Sequence, residues 1–214
     1  NTKMKKAIIY DLDHTLFDSK TLDRVIFQPA FDTLKEFELI TEYSFVKLKD
    51  DFFSISLNTF IEKHLNEKSK KRFIQSLRDI NSLPKLETYS DGHIVEQLDT
   101  INYLVTSGLK EFQNKKIDAL GIRGWFTEIY IDDPIDSKWK DKEEIMRLIL
   151  NKHNYDISDL LVVGDNPESE IKAGNNIGIE TIQILREGIK PSETATYSIK
   201  KLDELNKYVL QHGV

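Results

Sequence analysis

The sequence contains no cysteine and only 9 glycines, 5 prolines, 2 methionines and 2 tryptophans among its 214 residues. Without cysteine the chain can form neither a disulfide framework nor a thiolate metal site. No apolar run in the sequence approaches the length of about 20 residues that a membrane-spanning helix needs. Its amino-terminal residues lack the apolar segment of a signal peptide. We therefore expect a cytoplasmic protein with no membrane partner.

Positive charge is also scarce. The chain has 30 Lys and Arg against 36 Asp and Glu, which gives a formal net charge of −6. Surfaces that bind nucleic acid carry an excess of basic residues, so we expect no nucleic-acid partner. A small phosphorylated ligand is compatible with this charge, because it needs only a few local positive groups. The length suits one domain with an insertion, or two small domains.

The first functional signal lies in residues 7–18, AIIYDLDHTLFD. Their apolar start is typical of a buried strand in a parallel sheet. Asp11 and Asp13 follow at the carboxyl end of that strand, where open α/β sheets bind ligands. Two neighbouring carboxylates repel each other, and a bound cation or phosphoryl chemistry would explain their presence. The alternative is an ordinary turn rich in Asp and Thr, with no ligand. An EF-hand loop is excluded, because it needs Gly at its sixth position, which is Leu16 in this sequence.

Residues 19–85 differ in character, because they lack glycine and concentrate phenylalanine. Apolar residues recur there at helical spacing, with Lys and Glu between them, which predicts three or four amphipathic helices. We interpret the aromatic residues as the core of this helical insert rather than as a ligand site. They are Phe27, Phe31, Phe37, Phe45, Phe52, Phe53, Phe60 and Phe73. The predicted organisation is a core of residues 1–18 and 86–214 with a helical domain of residues 19–85 inserted.

After residue 100, apolar strand candidates alternate with helical stretches. The pattern predicts strands at 101–105, 128–131, 160–163, 181–184 and 197–199, and helices at 109–120, 142–153, 168–176 and 202–211. We expect Gly121 to end the first of these helices, and Ile145, Leu148 and Ile149 to share the buried face of the second. The alternation predicts an α/β fold with a doubly wound parallel sheet.

Three predicted strands end in acids or hydroxyls, namely Asp11 and Asp13, Thr106 and Ser107, and Asp165. In a parallel sheet with right-handed crossovers these ends share one edge. Carboxylates combined with hydroxyls and a lysine at a helix start suit a hard cation and a phosphoryl group. We interpret 132–133 (DD) as a turn, and His14 as a turn residue. The sequence has no Gly-x-Ser-x-Gly elbow and no P-loop.

Four segments in order resemble the motifs of the haloacid dehalogenase superfamily: DLDHTLFD at 11–18, VTSG at 105–108, a lysine ahead of a helix, and VVGDN at 162–166. The resemblance covers roughly residues 4–18 and 101–185. It implies a Rossmann-like α/β core, and the helical insert is similar to the C1 cap of that superfamily.

The resemblance also implies roles for individual residues. Asp11 would be the nucleophile that forms an aspartyl-phosphate. Asp13 would protonate the leaving oxygen and then activate water. Thr106, together with the backbone N–H groups of Ser107 and Gly108, would hold phosphoryl oxygens.

The implied cofactor is Mg²⁺. Asp11, the main-chain carbonyl of Asp13, and Asp165 would bind it. Leu12 belongs to the implied substrate-binding positions.

The acid at Asp13 favours phosphatases and phosphomutases, because the superfamily's dehalogenases lack an acid there. We therefore expect a Mg²⁺-dependent phosphatase of a small phosphorylated metabolite. The alternatives are a phosphomutase acting on a sugar phosphate, and a non-catalytic binding module on the same fold.

Two features depart from the family pattern. The third-motif lysine can be Lys138, Lys140 or Lys142, of which we favour Lys142 because it directly opens a helix. Glu170 stands where the family usually has a second Asp, and we expect it in the outer shell of the metal.

Overall fold

The chain, described by a computed structural model over residues 4–36 and 42–209, folds around a sheet of six parallel strands. The strands are β1 (Ala7–Tyr10), β2 (Ile101–Ser107), β3 (Glu128–Asp132), β4 (Leu160–Gly164), β5 (Glu180–Ile184) and β6 (Tyr197–Ile199). Their order across the sheet is β3-β2-β1-β4-β5-β6. The order reverses at β1, which gives the doubly wound topology predicted from the sequence.

Strand β1 lies at the centre of the sheet and is covered on both faces. Ile8 and Tyr10 belong to one apolar cluster, whereas Ala7 and Ile9 belong to a second cluster on the opposite face. Each of the four is at most 1% exposed. Burial on both sides explains why this segment is apolar throughout instead of alternating.

The insert between β1 and β2 is helical, as predicted. It contains α1 (Gln28–Lys35), α2 (Glu42–Ser54), α3 (Leu57–His64) and α4 (Glu67–Arg78), preceded by 3-10 turns at Ser19–Thr21 and Arg24–Phe27. Side-chain caps start two of the helices, with Ser56 accepting from the Thr59 N–H and Asn66 from the Ser69 N–H. Phenylalanine rings pack edge to face between the helices. Phe37 lies outside the described residues.

Among the residues that the structure describes, five further helices accompany the sheet: α5 (Ile94–Gln97), α6 (Lys110–Leu120), α7 (Lys142–His153), α8 (Glu170–Ile177) and α9 (Asn206–Val209). Helix α6 ends at Gly121, whose φ of 70° is the left-handed conformation expected of a helix C-cap. Helix α7 has the predicted bounds. It begins at Lys142 because Asp141 and Glu144 form a capping box at its start.

Two details of the helix prediction are wrong. Leu148 is 37% exposed, because the buried stripe of α7 runs through Ile145, Met146 and Ile149 and leaves Leu148 beside it. The closing helix expected at 202–211 begins as a 3-10 turn, Leu202–Leu205, and continues as α9 to Val209. Residues 210 and 211 lie outside the described part. Within residues 4–36 and 42–209, no helix is both long and apolar enough to cross a membrane.

The insert packs against helix α6 of the sheet domain. The rings of Phe27 and Phe112 lie 5.3 Å apart between centroids. Lys115 donates hydrogen bonds to the carbonyls of Arg78 and Ile80 at the end of α4. The apolar core of the insert therefore continues into that of one face of the sheet.

Candidate active site

The carboxyl edge of the sheet brings the acidic strand ends together. Tyr10 of β1 pairs with Leu104 of β2 and Val163 of β4, so the residues that follow these strands emerge side by side. The Asp11 N–H donates to the Val163 carbonyl at 2.9 Å and fixes Asp11 next to β4. Asp11 and Asp165 are both buried.

The loop after Asp11 turns sharply back on itself. The backbone N–H groups of Leu16 and Phe17 both donate to the Leu12 carbonyl, at 2.9 and 3.0 Å. His14 has a φ of 57°, in the left-handed region, and its N–H donates to the Phe17 carbonyl. The side chain of Leu12 is buried in the apolar core. Leu12 can therefore meet a substrate only through its backbone.

A lysine lies between two acids at this edge. Lys142 Nζ is 2.7 Å from Asp11 Oδ1 and 2.8 Å from Glu170 Oε2, with all three side chains buried. Lys142 is the first residue of α7, so the capping of that helix by Asp141 places it. Lys138 and Lys140 are exposed in the segment before the helix. Of the three candidate lysines, Lys142 is therefore the one that contacts Asp11.

Glu170 reaches the site across Gly164. Its Oε1 accepts from the Asn166 N–H at 2.7 Å, while its Oε2 pairs with Lys142. A Cβ at position 164 would lie 2.2 Å from Glu170 Cγ, so a side chain larger than glycine would collide with Glu170. Glu170, expected only in an outer metal shell, thus lies in direct contact with Lys142.

Negative charge exceeds positive charge in this cluster. Carboxylate oxygens of Asp11, Asp165 and Glu170 lie within 4.8 Å of one another, and Lys142 is the one cation paired with them in the described part of the chain. Burial raises the pKa of Asp165 to about 8, and the charges of Glu170 and Asp11 add to the effect. Burial also raises the pKa of Asp11, although Lys142 opposes it. The three carboxylates supply only oxygen ligands, which fit a hard divalent cation.

The two acids of the first motif have different surroundings. Asp13 is about a quarter exposed, with 28% of its side-chain surface accessible. Its carboxylate contacts Lys116, Gln113 and Ser19. Burial favours its neutral form, but the Lys116 ammonium and these hydrogen bonds outweigh burial and hold the pKa of Asp13 below its usual value. Asp11 and Asp13 therefore differ in opposite directions from an ordinary carboxyl: burial favours the neutral form of Asp11, and Lys116 favours the ionised form of Asp13.

Sequence reasoning missed Lys116 and Gln113. Both lie on the buried face of α6, next to the apolar Ile117. The sequence did contain a signal for these two residues, because they are polar and lie three positions apart on a helix face where apolar residues are expected.

Helix α6 starts at the second motif. Thr106 is buried, and its Oγ1 accepts from Gln113 Nε2 at 2.7 Å. Ser107 Oγ donates to Asp132 Oδ2 at 2.9 Å. The Gly108 N–H donates to the Asp132 carbonyl at 3.0 Å, so a phosphoryl oxygen would have to compete for it. Gly108 has a φ of 140°, which favours glycine.

The acidic pair at 132–133 serves the turn, as the sequence suggested. Asp133 accepts from the backbone N–H groups of Ile135 and Lys110, both at 2.9 Å. Asp132 accepts from the Trp139 indole N–H at 2.6 Å. Both carboxylates therefore bind groups of the chain itself.

The family model of the haloacid dehalogenase-like hydrolases matches residues 8–184, most of the chain and all of the site described above. The chain belongs to this family. The match confirms the resemblance noted in the sequence and the fold class that it implies. The segments at 11–18, 105–108 and 162–166 all lie within the matched region.

Several curated proteins and solved structures are similar to this haloacid dehalogenase-like chain. Pyrimidine 5'-nucleotidase YjjG of Escherichia coli (strain K12) is 27% identical over 115 residues, 51% of this chain and 49% of that protein. Glyceraldehyde 3-phosphate phosphatase of Methanocaldococcus jannaschii is 20% identical over 219 residues, 94% of this chain and 96% of that protein. The solved structure of YfnB from Bacillus subtilis, bound to magnesium, shares the fold with a TM-score of 0.65 at 16% identity and covers 97% of this chain and 99% of that one. In sequence, the chain spans about half the length of the curated relatives YjjG and YfnB.

Proposed function

We propose that the chain is a Mg²⁺-dependent phosphatase that hydrolyses a small phosphorylated metabolite through an aspartyl-phosphate on Asp11. The observation that carries this proposal is the buried Asp11 carboxylate, 2.7 Å from Lys142 and grouped with Asp165 at the carboxyl edge of the sheet. Two relatives are named for action on small phosphorylated compounds, a nucleotidase and a sugar-phosphate phosphatase.

Asp11 would attack phosphorus in line, forming a P–O bond to its carboxylate. The bond between phosphorus and the leaving oxygen would break, and its electron pair would pass to that oxygen. Asp13 would supply the proton for that oxygen, then take a proton from the water that hydrolyses the aspartyl-phosphate. Thr106 and the backbone at the start of α6 would hold phosphoryl oxygens.

The carboxylate cluster suits a divalent cation. Asp11, Asp165 and the main-chain carbonyl of Asp13 would hold it, with Glu170 engaged by Lys142 at the outer side. A cation bound there would neutralise charge between the Asp11 carboxylate and an approaching phosphoryl group. Magnesium is the cation bound in the YfnB structure.

A second part of the proposal concerns the helical insert. We assign residues 19–85 as a cap over the core of residues 1–18 and 86–214. The Tyr89 N–H donates to the Leu16 carbonyl at 2.9 Å, so the return from the insert is tied to the loop that carries Asp13. The insert would exclude water during transfer and select the substrate.

Phosphate release from a panel of phosphorylated metabolites, with Mg²⁺ or with EDTA, tests the proposal. We expect release from at least one sugar phosphate or nucleotide in Mg²⁺, its loss in EDTA, and its recovery when Mg²⁺ is restored. A requirement for a bisphosphate activator would point instead to a phosphomutase. If the panel and 4-nitrophenyl phosphate are all left untouched, the proposed function is wrong.

Mg²⁺ should also stabilise the protein more at high pH than at low pH. The raised pKa of Asp165 means that the folded state binds more protons than the unfolded state between about pH 4 and pH 8. Stability therefore falls as pH rises through that window. A cation that binds the ionised cluster would offset this loss, so the gain in Tm from Mg²⁺ should be larger at pH 8 than at pH 5.

Thermal unfolding of the wild type and of Asp165→Asn, each with and without Mg²⁺, measures this effect. The variant should lose most of its response to Mg²⁺. Without Mg²⁺, it should gain stability relative to the wild type as pH rises, because one crowded charge is gone. Equal Mg²⁺ responses in the two proteins would place the metal elsewhere.

A further inference from the structure

We propose that Arg186 is a positioning residue that fixes the orientation of the helical insert over the core. Its guanidinium joins the two connections of the insert, the entry connection (residues 15–20) and the return connection (residues 86–91). The effect on catalysis rests on the proposed phosphatase function. Arg186 belongs to none of the four motifs, and it follows β5, beyond residue 184, the last that the family model matches.

The guanidinium donates hydrogen bonds to both connections. On the entry side, Nε and Nη2 donate to the Thr15 carbonyl, at 3.2 and 2.7 Å. On the return side, Nη1 and Nη2 donate to the two carboxylate oxygens of Asp91, at 2.8 and 2.9 Å. Because the guanidinium is planar and rigid, these contacts hold the two connections at a fixed separation.

Further contacts around Arg186 tie the same connections to each other and to the core. The Tyr89 N–H donates to the Leu16 carbonyl, and the Tyr89 ring centre lies 4.0 Å from the Cζ atom of Arg186. A cation over an aromatic face at this distance is attracted to it. The Asp91 carboxylate also accepts from the Leu202 N–H at 2.9 Å. The return connection is therefore anchored to two separate elements of the core.

The pair of Arg186 and Asp91 is shielded from water, with side chains 8% and 9% exposed. Burial favours the neutral form of Asp91, but the hydrogen bonds from Arg186 and from the Leu202 N–H outweigh burial and hold the pKa of Asp91 below its usual value. Salt screens a buried pair much less than a surface pair. The contact should therefore persist at physiological ionic strength.

The loop that carries Arg186 also lies beside the first turn of the insert. A Cβ at Gly188 would lie 3.6 Å from Lys20 Nζ, an ordinary van der Waals distance. Lys20 belongs to the 3-10 turn Ser19–Thr21, with which the insert begins. The segment after β5 is thus placed between the entry and the return of the insert.

This arrangement should act on substrate binding more than on the chemical step. Arg186 contacts Thr15, Tyr89 and Asp91, none of which is a nucleophile or metal ligand in the proposed mechanism. Without Arg186, the insert should adopt a wider range of orientations, of which only a fraction suits the substrate. The apparent affinity for substrate falls by that fraction. Turnover of the bound substrate still depends on core residues that are unchanged.

The experiment compares the wild type with the double variant Arg186→Met/Asp91→Asn. Removing both charges leaves neither ion buried without a partner, and the amide introduced at position 91 can still accept from the Leu202 N–H. With Mg²⁺ and the best substrate of the metabolite panel, we expect KM to rise about tenfold and kcat to change by less than about twofold. The inhibition constant of inorganic phosphate, which occupies only the phosphoryl site of the core, should stay unchanged.

A distance measurement tests the orientation of the insert without any substrate. Because the chain has no cysteine, spin labels can be attached at two chosen positions. Lys71→Cys on α4 and Asn151→Cys on α7 are both at exposed sites, one in the insert and one in the core. Pulsed EPR should give a broader distribution of distances between the labels in the double variant than in the otherwise wild-type chain.

Arg123→Met/Asp118→Asn is the matched control. It removes the same two charges, from a pair 2.7 Å apart in which Arg123 contacts Asp118 and Asn114 of α6. It should leave KM and the distance distribution unchanged. Arg186→Lys keeps the charge but cannot reproduce the fork of donors, so its KM and its distribution should lie between those of the wild type and the double variant.

The outcomes separate this inference from the function. An unchanged distance distribution in the double variant overturns the positioning role, and so does an unchanged distribution in Arg186→Lys if the double variant does not fold. A broader distribution with an unchanged KM overturns the role in substrate binding. In both cases the phosphatase assignment stands, because the wild type still releases phosphate. If the wild type releases no phosphate from the panel, the function fails, whereas the distance measurement still decides whether Arg186 fixes the insert.

Discussion

Asp11→Asn is expected to abolish phosphate release and to leave the protein at least as stable as the wild type. The substitution keeps the size of the side chain but removes the nucleophilic oxygen. Loss of a catalytic nucleophile lowers turnover by at least about a thousandfold. Phosphate release on the best substrate of the metabolite panel, measured with Mg²⁺ present, gives the activity.

The expected stability follows from the charges around Asp11. Its pKa is raised by burial, with Glu170 adding to the effect and Lys142 opposing it. A carboxyl whose pKa is higher in the folded state binds more protons there, so its ionised form costs stability as pH rises above its ordinary value. Asparagine carries no charge and avoids this cost. The variant should therefore unfold at the same or a higher temperature at pH 8 without metal.

Asp118→Asn is the matched control for this prediction. Asp118 lies on α6, is exposed and pairs with Arg123 at 2.7 Å. It should retain full activity, because a surface ion pair contributes little. Full activity in Asp11→Asn would refute the assignment of Asp11 as nucleophile. A loss of activity accompanied by a large loss of stability would show that Asp11 has a structural role instead.

Local patterns in the sequence predicted most of the fold. The unbroken apolar run of β1 predicted a strand buried on both faces, and the capping box at Asp141 explains why α7 begins at Lys142. Such signals lie within a few residues of the element that they determine. Leu148 was assigned to the wrong face because it lies at the margin of the apolar stripe, where spacing alone does not decide burial.

The site was predictable only in part. Parallel strands place Asp11, Thr106 and Asp165 at one edge, so topology alone was enough to expect them together. The partners of Asp13 had no such signal, because α6 reaches Asp13 across about 100 residues of sequence. The contact of Glu170 with Lys142 depends on the absence of a side chain at Gly164, which leaves room for the Glu170 side chain. The periodicity of apolar residues carries no information about such a close approach between two side-chain positions.

Lys142→Met is expected to lower both activity and stability strongly. The side chains have similar length, so the change removes the ammonium and leaves little new space. Asp11 and Glu170 would then face each other without a cation, in a pocket where Asp165 adds a third carboxylate. Breaking a buried ion pair by removing one partner costs about 3 to 5 kcal/mol. Chemical denaturation gives the free energy of unfolding, and phosphate release gives the activity.

The pH dependence of Lys142→Met distinguishes lost charge from lost packing. Without the ammonium, which opposes the rise in both groups, the pKa values of Asp11 and Asp165 rise further above those of the unfolded chain. The folded state then binds more protons than the unfolded state at neutral pH, so the deficit in stability should shrink as pH falls toward 5. A packing defect would give a deficit that does not change with pH.

Lys140→Met and Lys138→Met complete this test of the third motif. Both lysines are exposed, so each substitution should change the free energy of unfolding by no more than about 0.5 kcal/mol. Neither should reduce activity in Mg²⁺. If Lys140→Met abolishes turnover while Lys142→Met does not, the catalytic lysine is Lys140 and the pairing of Lys142 with Asp11 is structural. If only Lys142→Met fails, the first turn of α7 supplies the third motif, and the helix cap at Asp141 is what positions its lysine against the nucleophile.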